Sequence, residues 1–342
     1  MGDFMEDVIR LSHGSGGIET LQLIMDITRD VTLRKVKGGT GLDELDDSAL
    51  IPLGEEKFLA ITVDSYTVNP IFFPGGDIGK LAASGTINDL VVMGAKPLAV
   101  LDAIVVEEGF SKRDLYRVLS SFKEVLKKEG VALIGGDFKV MPKGSLDKIV
   151  ISTVGVGVVD KDDVMLDSGL KEGDKVIVSG TIGDHGAVIL ALQLGIDVSN
   201  LKSDCEPLTK VMERVISIGG VHAAKDPTRG GLSMALHEMA DKSKVTIVID
   251  EAKIPIKEEV RACCEMLGVD PLSLACEGRV VLGVDKEVAD KVVDSLHDLG
   301  YEDATIIGEV KSVEPGLVLA KSLVGGLKIL EPPLGEVVPR IC

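Results

Sequence analysis

Between residues 160 and 173 the sequence loses the apolar periodicity that it shows on either side. Asp160-Lys161-Asp162-Asp163 forms a polar bridge, and Gly169 to Gly173 follows it. A full cycle of strand and helix patterns lies before this break, and a second lies after it. The first cycle has strand patterns over 58–64, 98–106, 131–135 and 148–159, with helix patterns over 77–93 and 111–129, the second closed by Gly130. The second has strand patterns over 175–179, 245–250, 279–284, 304–308 and 326–330, and helix patterns over 185–194, 207–218, 230–241, 257–267 and 286–299. Helices separated now by one strand and now by two point to two α+β units with mixed sheets. The expected division is 1–160, 168–330 and a Pro-punctuated tail over 331–342, and the chain is long enough for each unit to have its own core.

Aromatic residues make up only 3% of the chain and Trp is absent, so the cores have to be built from Val, Ile, Leu and Ala. The net charge is −18, and no Lys/Arg cluster interrupts it, which argues against counterion-release binding to nucleic acid. A polyanion that handles phosphates would need divalent cations. No apolar run reaches membrane-spanning length, and the start MGDFMEDVIR is acidic, unlike a signal peptide, so a cytoplasmic protein is expected. The five cysteines form no CxxC pair, which suggests neither a zinc knuckle nor a disulfide framework. Cys263 and Cys264 read as small buried residues in a helix. Cys342, the last residue of the sequence, has no such packing reason.

Acidic residues collect at the margins of apolar runs. Asp46-Asp47 precedes a hydrophobic strand, Asp64 closes another, Asn88-Asp89 interrupts an apolar helix, and Gly135-Gly136-Asp137 follows a strand expected to be buried. Charges in such places are costly unless a metal or ligand compensates them. Oxygen ligands without clustered His or Cys favour Mg²⁺, the usual companion of a nucleotide phosphate. Two glycine-rich stretches open helices: His13-Gly14-Ser15-Gly16-Gly17, and Asp226 to Gly231, where Thr228 and Arg229 stand at the positive end of the helix dipole. Neither GxxxxGK[ST] nor GxGxxG occurs, so any nucleotide site is not of the P-loop or Rossmann kind.

In their order, DDSA, Asp64, NDLVVMGA, GGDFKV and DPTRGG resemble the ATP-dependent aminoimidazole ribonucleotide synthetase superfamily, which includes selenophosphate synthetase and thiamine-monophosphate kinase. Within it, HGSGG together with the terminal PRIC resembles the hydrogenase maturation family HypE, the carbamoyl dehydratases, from about His13 to Cys342. The resemblance implies a PurM-like two-domain fold whose N-terminal sheets pair across a homodimer. It implies ATP-dependent conversion of an S-carboxamide on Cys342 to a thiocyanate, supplying cyanide for the iron of [NiFe]-hydrogenase. The partners it implies are the carbamoyltransferase HypF and the iron-carrying HypC–HypD complex. It also implies that Asp46, Asp64, Asp89 and Asp137 hold Mg²⁺, with Asp47 and Asn88 in support. By the same likeness His13, Gly14, Ser15, Gly16 and Gly17 close over the nucleotide, Gly135 and Gly136 border it, and Thr228, Gly230 and Gly231 lie by the phosphates. Lys139 and Glu277 are the implied catalytic partners of Cys342, with Glu277 a proton acceptor. A thiol that must meet partner proteins and its own ATP needs a mobile arm, and twelve residues past Leu330 span about 40 Å at about 3.3 Å each. Arg340 is expected to lower the thiol pKa or to contact acidic surface; His13, His185 and His222 read as turn or cap residues. Selenophosphate synthetase is disfavoured because no Cys precedes Cys205. A thiamine-monophosphate-type kinase and a non-catalytic scaffold that docks partners through the tail are the alternatives.

Overall fold

The computed structural model describes residues 8–197, 199–335, 338 and 340–342; the expected acidic start of the chain and the tail's Pro339 lie outside them. After α1 (Ile18–Ile27) the first half comprises β1 (Ala49–Leu53), β2 (Lys57–Tyr66), a short hairpin of β3 (Phe72–Phe73) and β4 (Gly76–Asp77), α2 (Ile78–Val92), β5 (Lys96–Glu107), α3 (Lys112–Glu129), β6 (Ala132–Met141) and β7 (Ile149–Asp160). The second comprises β8 (Lys175–Val178), α4 (Asp184–Gln193), α5 (Thr209–Ile218), β9 (Val221–Lys225), α6 (Gly231–Ser243), β10 (Thr246–Asp250), α7 (Glu258–Leu267), β11 (Val281–Val284), α8 (Ala289–Asp298), β12 (Thr305–Lys311), β13 (Leu317–Lys321) and β14 (Leu327–Ile329). Two mixed sheets result, in the orders β1-β2-β7-β5-β6 and β14-β13-β10-β12-β8-β11-β9. Pairing is antiparallel except for β5 with β6 and β10 with β13. Among the described residues no helix is long and apolar enough to cross a membrane.

The helix α2 organises the molecule. Asp77 caps it by accepting from the Gly79 and Lys80 amides, and nearly every side chain behind that cap is buried. A helix apolar on all sides has to be covered all round. The β2–β7–β5 face covers one side, α3 a second and α5 a third. One apolar cluster therefore runs from Ile87 and Val91 into Val188, Leu208 and Val215 of the second half, while a second cluster around Val178, Leu236, Ile247 and Val318 lies wholly within the second half.

The strand containing Gly135-Gly136-Asp137 departs from expectation. β6 does not end at Gly135, and it is exposed along its whole length. It is an edge strand, paired on one side only, and its apolar residues Leu133, Ile134, Phe138 and Val140 stay in the open.

Candidate active site

Strand alternation on β2 turns Ala60, Thr62 and Tyr66 towards α2 and leaves Val63 outside. Asp64 shares the inner face, and Asp89 comes to meet it from α2, its carboxylate accepting from Thr62 Oγ1 at 2.7 Å. Asp47 approaches from the turn before β1. The second half contributes Asp226 after β9 and Glu277 before β11, both buried. The Asp47 Oδ2, Asp226 Oδ2 and Glu277 Oε1 atoms are buried without a hydrogen-bond partner among the protein atoms.

Burial and mutual repulsion raise this whole group. Asp89 is pushed well above the usual carboxylate range by burial first, then by Asp64, Asp226 and Asp47. Asp226 rises by burial and by Asp47, with Lys225 opposing. Glu277 rises by burial, Asp226, Asp204 and Asp64, with Arg229 opposing. Orphaned, proton-retaining carboxylates of this kind fit a hard divalent cation. Among the described residues no three acidic, His or Cys side chains already stand close enough to cage one ion, so ligation would draw them together.

Beside this group lies a second acidic cluster that is paired. Lys225 Nζ reaches Asp47 Oδ1 at 2.9 Å, Glu238 at 3.1 Å and Asp167 at 3.5 Å, and Lys242 reaches Asp167 at 2.7 Å. Asp46 belongs here: its two oxygens accept from the Asp47 and Asp167 amides. Burial, Asp167 and Asp47 raise it to about 8. Asp47 rather than Asp46 therefore faces the unpaired carboxylates.

The tail runs inward. Ser233 Oγ donates to the Glu331 carbonyl at 3.0 Å, Gly335 N donates to Glu19 at 2.9 Å, and Ser15 Oγ donates to the Gly335 carbonyl at 3.0 Å. Val338 and Ile341 are buried. Asn69 N donates to the Arg340 carbonyl at 3.1 Å, and Thr67 N and Oγ1 donate to that of Cys342 at 2.9 and 3.0 Å. Arg340 is spent on the Thr67 carbonyl and on Asp147, so it takes the expected acidic contact and leaves the thiol to Arg229. The docked thiol is pushed up to about 12, by burial first; Arg229 opposes this, while Glu277, Asp64 and Asp89 add to it. A cleft lined by Gly14, Ser15, Ser65, Thr67 and Arg229 opens onto Cys342.

The other expected site residues are placed as follows. Ser15, Gly16 and Gly17 pack on the tail and on Arg229, and a side chain at Gly17 would strike the Pro333 carbonyl at 2.6 Å. His13 Nδ1 accepts locally from Arg10 N, and Gly14 lends its carbonyl to Arg229. Thr228 and Gly231 line a cleft under α1 with Thr20, Leu21 and Met234. Gly230 and Gly231 both take positive φ, and Gly231 lies so near the Leu272 carbonyl, 2.5 Å from a built Cβ, that no side chain fits. Asn88 does not face the carboxylates: its amide donates to the Glu206 and Glu277 carbonyls and its oxygen accepts from Leu208 N, which fixes the backbone that carries Glu277.

Asp137 and Lys139 are not brought to the group within one chain. Asp137, Ala103, Ser152 and Ser65 form one row across the sheet. Asp137 therefore shares the outer face with Ser65, opposite Asp64 and about 14 Å away at three strand spacings. Exposed, it pairs with Lys139 at 2.6 Å. Gly135 and Gly136 lie on the same edge, and a Cβ at Gly136 would overlap Asp102. The reason is the one that exposes β6: no neighbour covers this edge.

Sequence reasoning missed Asp226 as a member of the group, although DPTRGG contains it and a carboxylate directly ahead of a buried glycine turn was the available signal. It also missed Asp204, whose carboxylate accepts from the Glu277 and Gly278 amides, and Thr67, which nothing in the local pattern marks.

Two family models match: AIR synthase related protein, N-terminal domain, over residues 45–159, and its C-terminal domain over 171–318. The carbamoyl dehydratase HypE of Escherichia coli is 41% identical over 342 residues, covering 98% of this chain and 99% of that one. Among solved structures, a chain of a HypE–HypF complex superposes with a TM-score of 0.83 at 38% identity, covering 93% of this chain and all of that one. The hydrogenase maturation protein HypE in complex with ATP superposes with a TM-score of 0.81 at 37% identity, covering 98% and 100%.

Proposed function

The chain belongs to the carbamoyl dehydratase HypE family of the AIR synthase related proteins, and on that premise we propose that it dehydrates an S-carboxamide on its own Cys342 to a thiocyanate, at the expense of ATP, during hydrogenase maturation. The observation that carries this reading is the docked tail, which sets Cys342 among Arg229, Glu277, Asp64 and Asp89. The overall change is RS–C(O)NH₂ + ATP giving RS–C≡N + ADP + phosphate: the C–O bond breaks, the oxygen leaves with the transferred phosphoryl group, and nitrogen loses both protons. ATP supplies the phosphoryl group that makes the amide oxygen a leaving group, and Mg²⁺ screens the phosphates. Asp47, Asp64, Asp89 and Asp226 would hold the metal, since burial holds all four above the usual carboxylate range and leaves Asp47 Oδ2 and Asp226 Oδ2 without a partner. Thr228 and the first turn of α6 would face the phosphates. Glu277 takes an amide proton, its backbone fixed by Asn88 and Asp204 and its carboxylate charge opposed by nearby acids. Arg229 steadies negative charge at the tail.

The docked thiol at about 12 is a poor nucleophile. Carbamoylation by a HypF partner therefore acts on the released tail, and docking follows. The division into 1–160, 168–330 and a movable 331–342 is part of this reading, as are cytoplasmic residence and delivery to a HypC–HypD complex. A second copy would cover the bare β6 edge and its apolar face, and the same contact would carry Asp137 and Lys139 to an interface, where Lys139 could orient the tail.

Substitution tests the reading. Cys342→Ser and removal of residues 336–342 should leave ATP binding intact while abolishing any mass gain from the carbamoyltransferase and carbamoyl phosphate. A Ser variant that still gains the carboxamide and loses water would place the reaction elsewhere.

A further inference from the structure

His185, in the first turn of α4, is fully buried, and no step assigned above uses it. Its ring is fixed on three sides. Nδ1 lies 2.8 Å from Ser203 Oγ, and that hydroxyl already accepts from Cys205 N at 3.1 Å, so its own proton is free for Nδ1. Nε2 lies 2.8 Å from the Ile341 carbonyl oxygen, which can only accept, so the network assigns the ring proton to Nε2. Phe73 meets the ring edge-on, with centroids 5.2 Å apart. Burial holds the imidazole below its ordinary pKa and keeps it neutral.

The last three carbonyls of the tail are thus held from two directions. Those of Arg340 and Cys342 take donors from the segment that follows β2 in the first half. That of Ile341 takes its donor from α4 in the second half. We propose that His185 is the latch of the tail, a positioning residue whose Nε2–H fixes the Ile341 carbonyl and thereby sets where Cys342 stands for the ATP-dependent step. The inference rests on the reading that Cys342 carries the carboxamide. Its physical basis is asymmetric. With the tail in place every polar atom of the ring is paired; with the tail withdrawn Nε2–H loses the Ile341 carbonyl, the acceptor that the docked state supplies. Thr67 and Asn69 lie nearer the surface, whereas His185 is fully buried while the tail is docked. The latch therefore favours the docked state and selects one register of the tail, because a shift by one residue would present an N–H or a side chain to Nε2.

The test uses the full-length protein and reads docking separately from chemistry. Alkylation of Cys342 by iodoacetamide in the absence of ATP reports tail release, scored on the C-terminal peptide. His185→Phe keeps the ring and removes the donor. It should speed alkylation about tenfold or more, the ratio carried by a lost buried hydrogen bond. It should also slow water loss from the carboxamide while ATP affinity stays at the wild-type value and carbamoylation, which acts on the released tail, is not slowed. His185→Gln, which restores a donor at a similar reach, should return both readouts towards wild type. Ser203→Ala leaves His185 in place but frees the proton to move to Nδ1, and should give an intermediate release; it decides the matter if the Phe variant unfolds. A folded His185→Phe protein, or failing that Ser203→Ala, with wild-type alkylation and water loss would overturn the latch. A wild-type protein that protects Cys342 through His185 yet never dehydrates its carboxamide would instead overturn the proposed reaction and leave the latch standing.

Discussion

Two buried acidic clusters lie side by side and differ in one respect. Around Lys225 and Lys242, the carboxylates of Asp47, Asp167 and Glu238 are matched by ammonium groups within hydrogen-bonding or ion-pair distance. Around Asp64, Asp89, Asp226 and Glu277, Arg229 opposes the charge of Asp64 and Glu277 and Lys225 that of Asp226, yet Asp226 Oδ2 and Glu277 Oε1 are buried without partners. Both clusters join the two halves of the chain, yet only the second has spare charge to offer. Burial of acids is therefore not what marks the site; the missing counter-charge is. Asp47 shows the division within one side chain, with Oδ1 on Lys225 and Oδ2 unpartnered.

The comparison can be broken by substituting on each side of it. The largest effect is expected from Asp89→Asn, which should take Mg²⁺-dependent nucleotide binding below detection in a titration while melting changes little, because the change removes repulsion as well as a ligand. Binding at wild-type strength would remove Asp89 from the site. Glu277→Gln should bind ATP and accept the carboxamide but slow water loss by about 10²–10⁴-fold, the usual weight of general base catalysis; undiminished water loss would exclude Glu277 as the base. Lys225→Met should do the reverse of Asp89→Asn. It should cost about 3–5 kcal/mol in urea unfolding, because it strands Asp47 and Glu238, and a loss below about 1 kcal/mol would show that the paired cluster is not an ionic tie.

The smallest effect concerns protons. Asp46 holds its proton up to about 8 in the folded chain, whereas an unfolded Asp releases it near 4. The folded state thus binds the extra proton between these values, and stability should fall as pH rises from 5 to 8 and then level off. Asp89, Asp226 and Glu277 are shifted in the same direction, so binding of Mg²⁺ and nucleotide at pH 7 should release protons, measured by calorimetry in buffers of different ionisation enthalpy. Proton uptake would contradict the assignment of the unpaired cluster.

Much of this architecture was legible in the sequence. The apolar runs located β2, β5 and β7 and the polar margins located Asp47, Asp64 and Asp89, since period and charge are local properties. The short strands β9 and β13 were not foreseen, because runs of about five residues carry too little pattern. β6 was misjudged for a different reason: its composition is that of a buried strand, and only topology makes it an edge. The roles of Asp46 and Asp47 could not be separated from sequence, as adjacent residues differ only in which way the turn points them. The tail's composition suggested a mobile arm, but its docking depends on Thr67, Ser233 and His185, which are scattered along the chain and meet only in the fold.

The central claim is that the docked Cys342 is the group on which the unpaired carboxylate cluster acts. The most direct measurement is the mass of the C-terminal peptide of the carbamoylated wild-type protein before and after one turnover with Mg²⁺ and ATP. The account requires loss of one water confined to Cys342, dependent on both Mg²⁺ and ATP. A carboxamide that persists on Cys342, or a loss of water that maps to another residue, would contradict it.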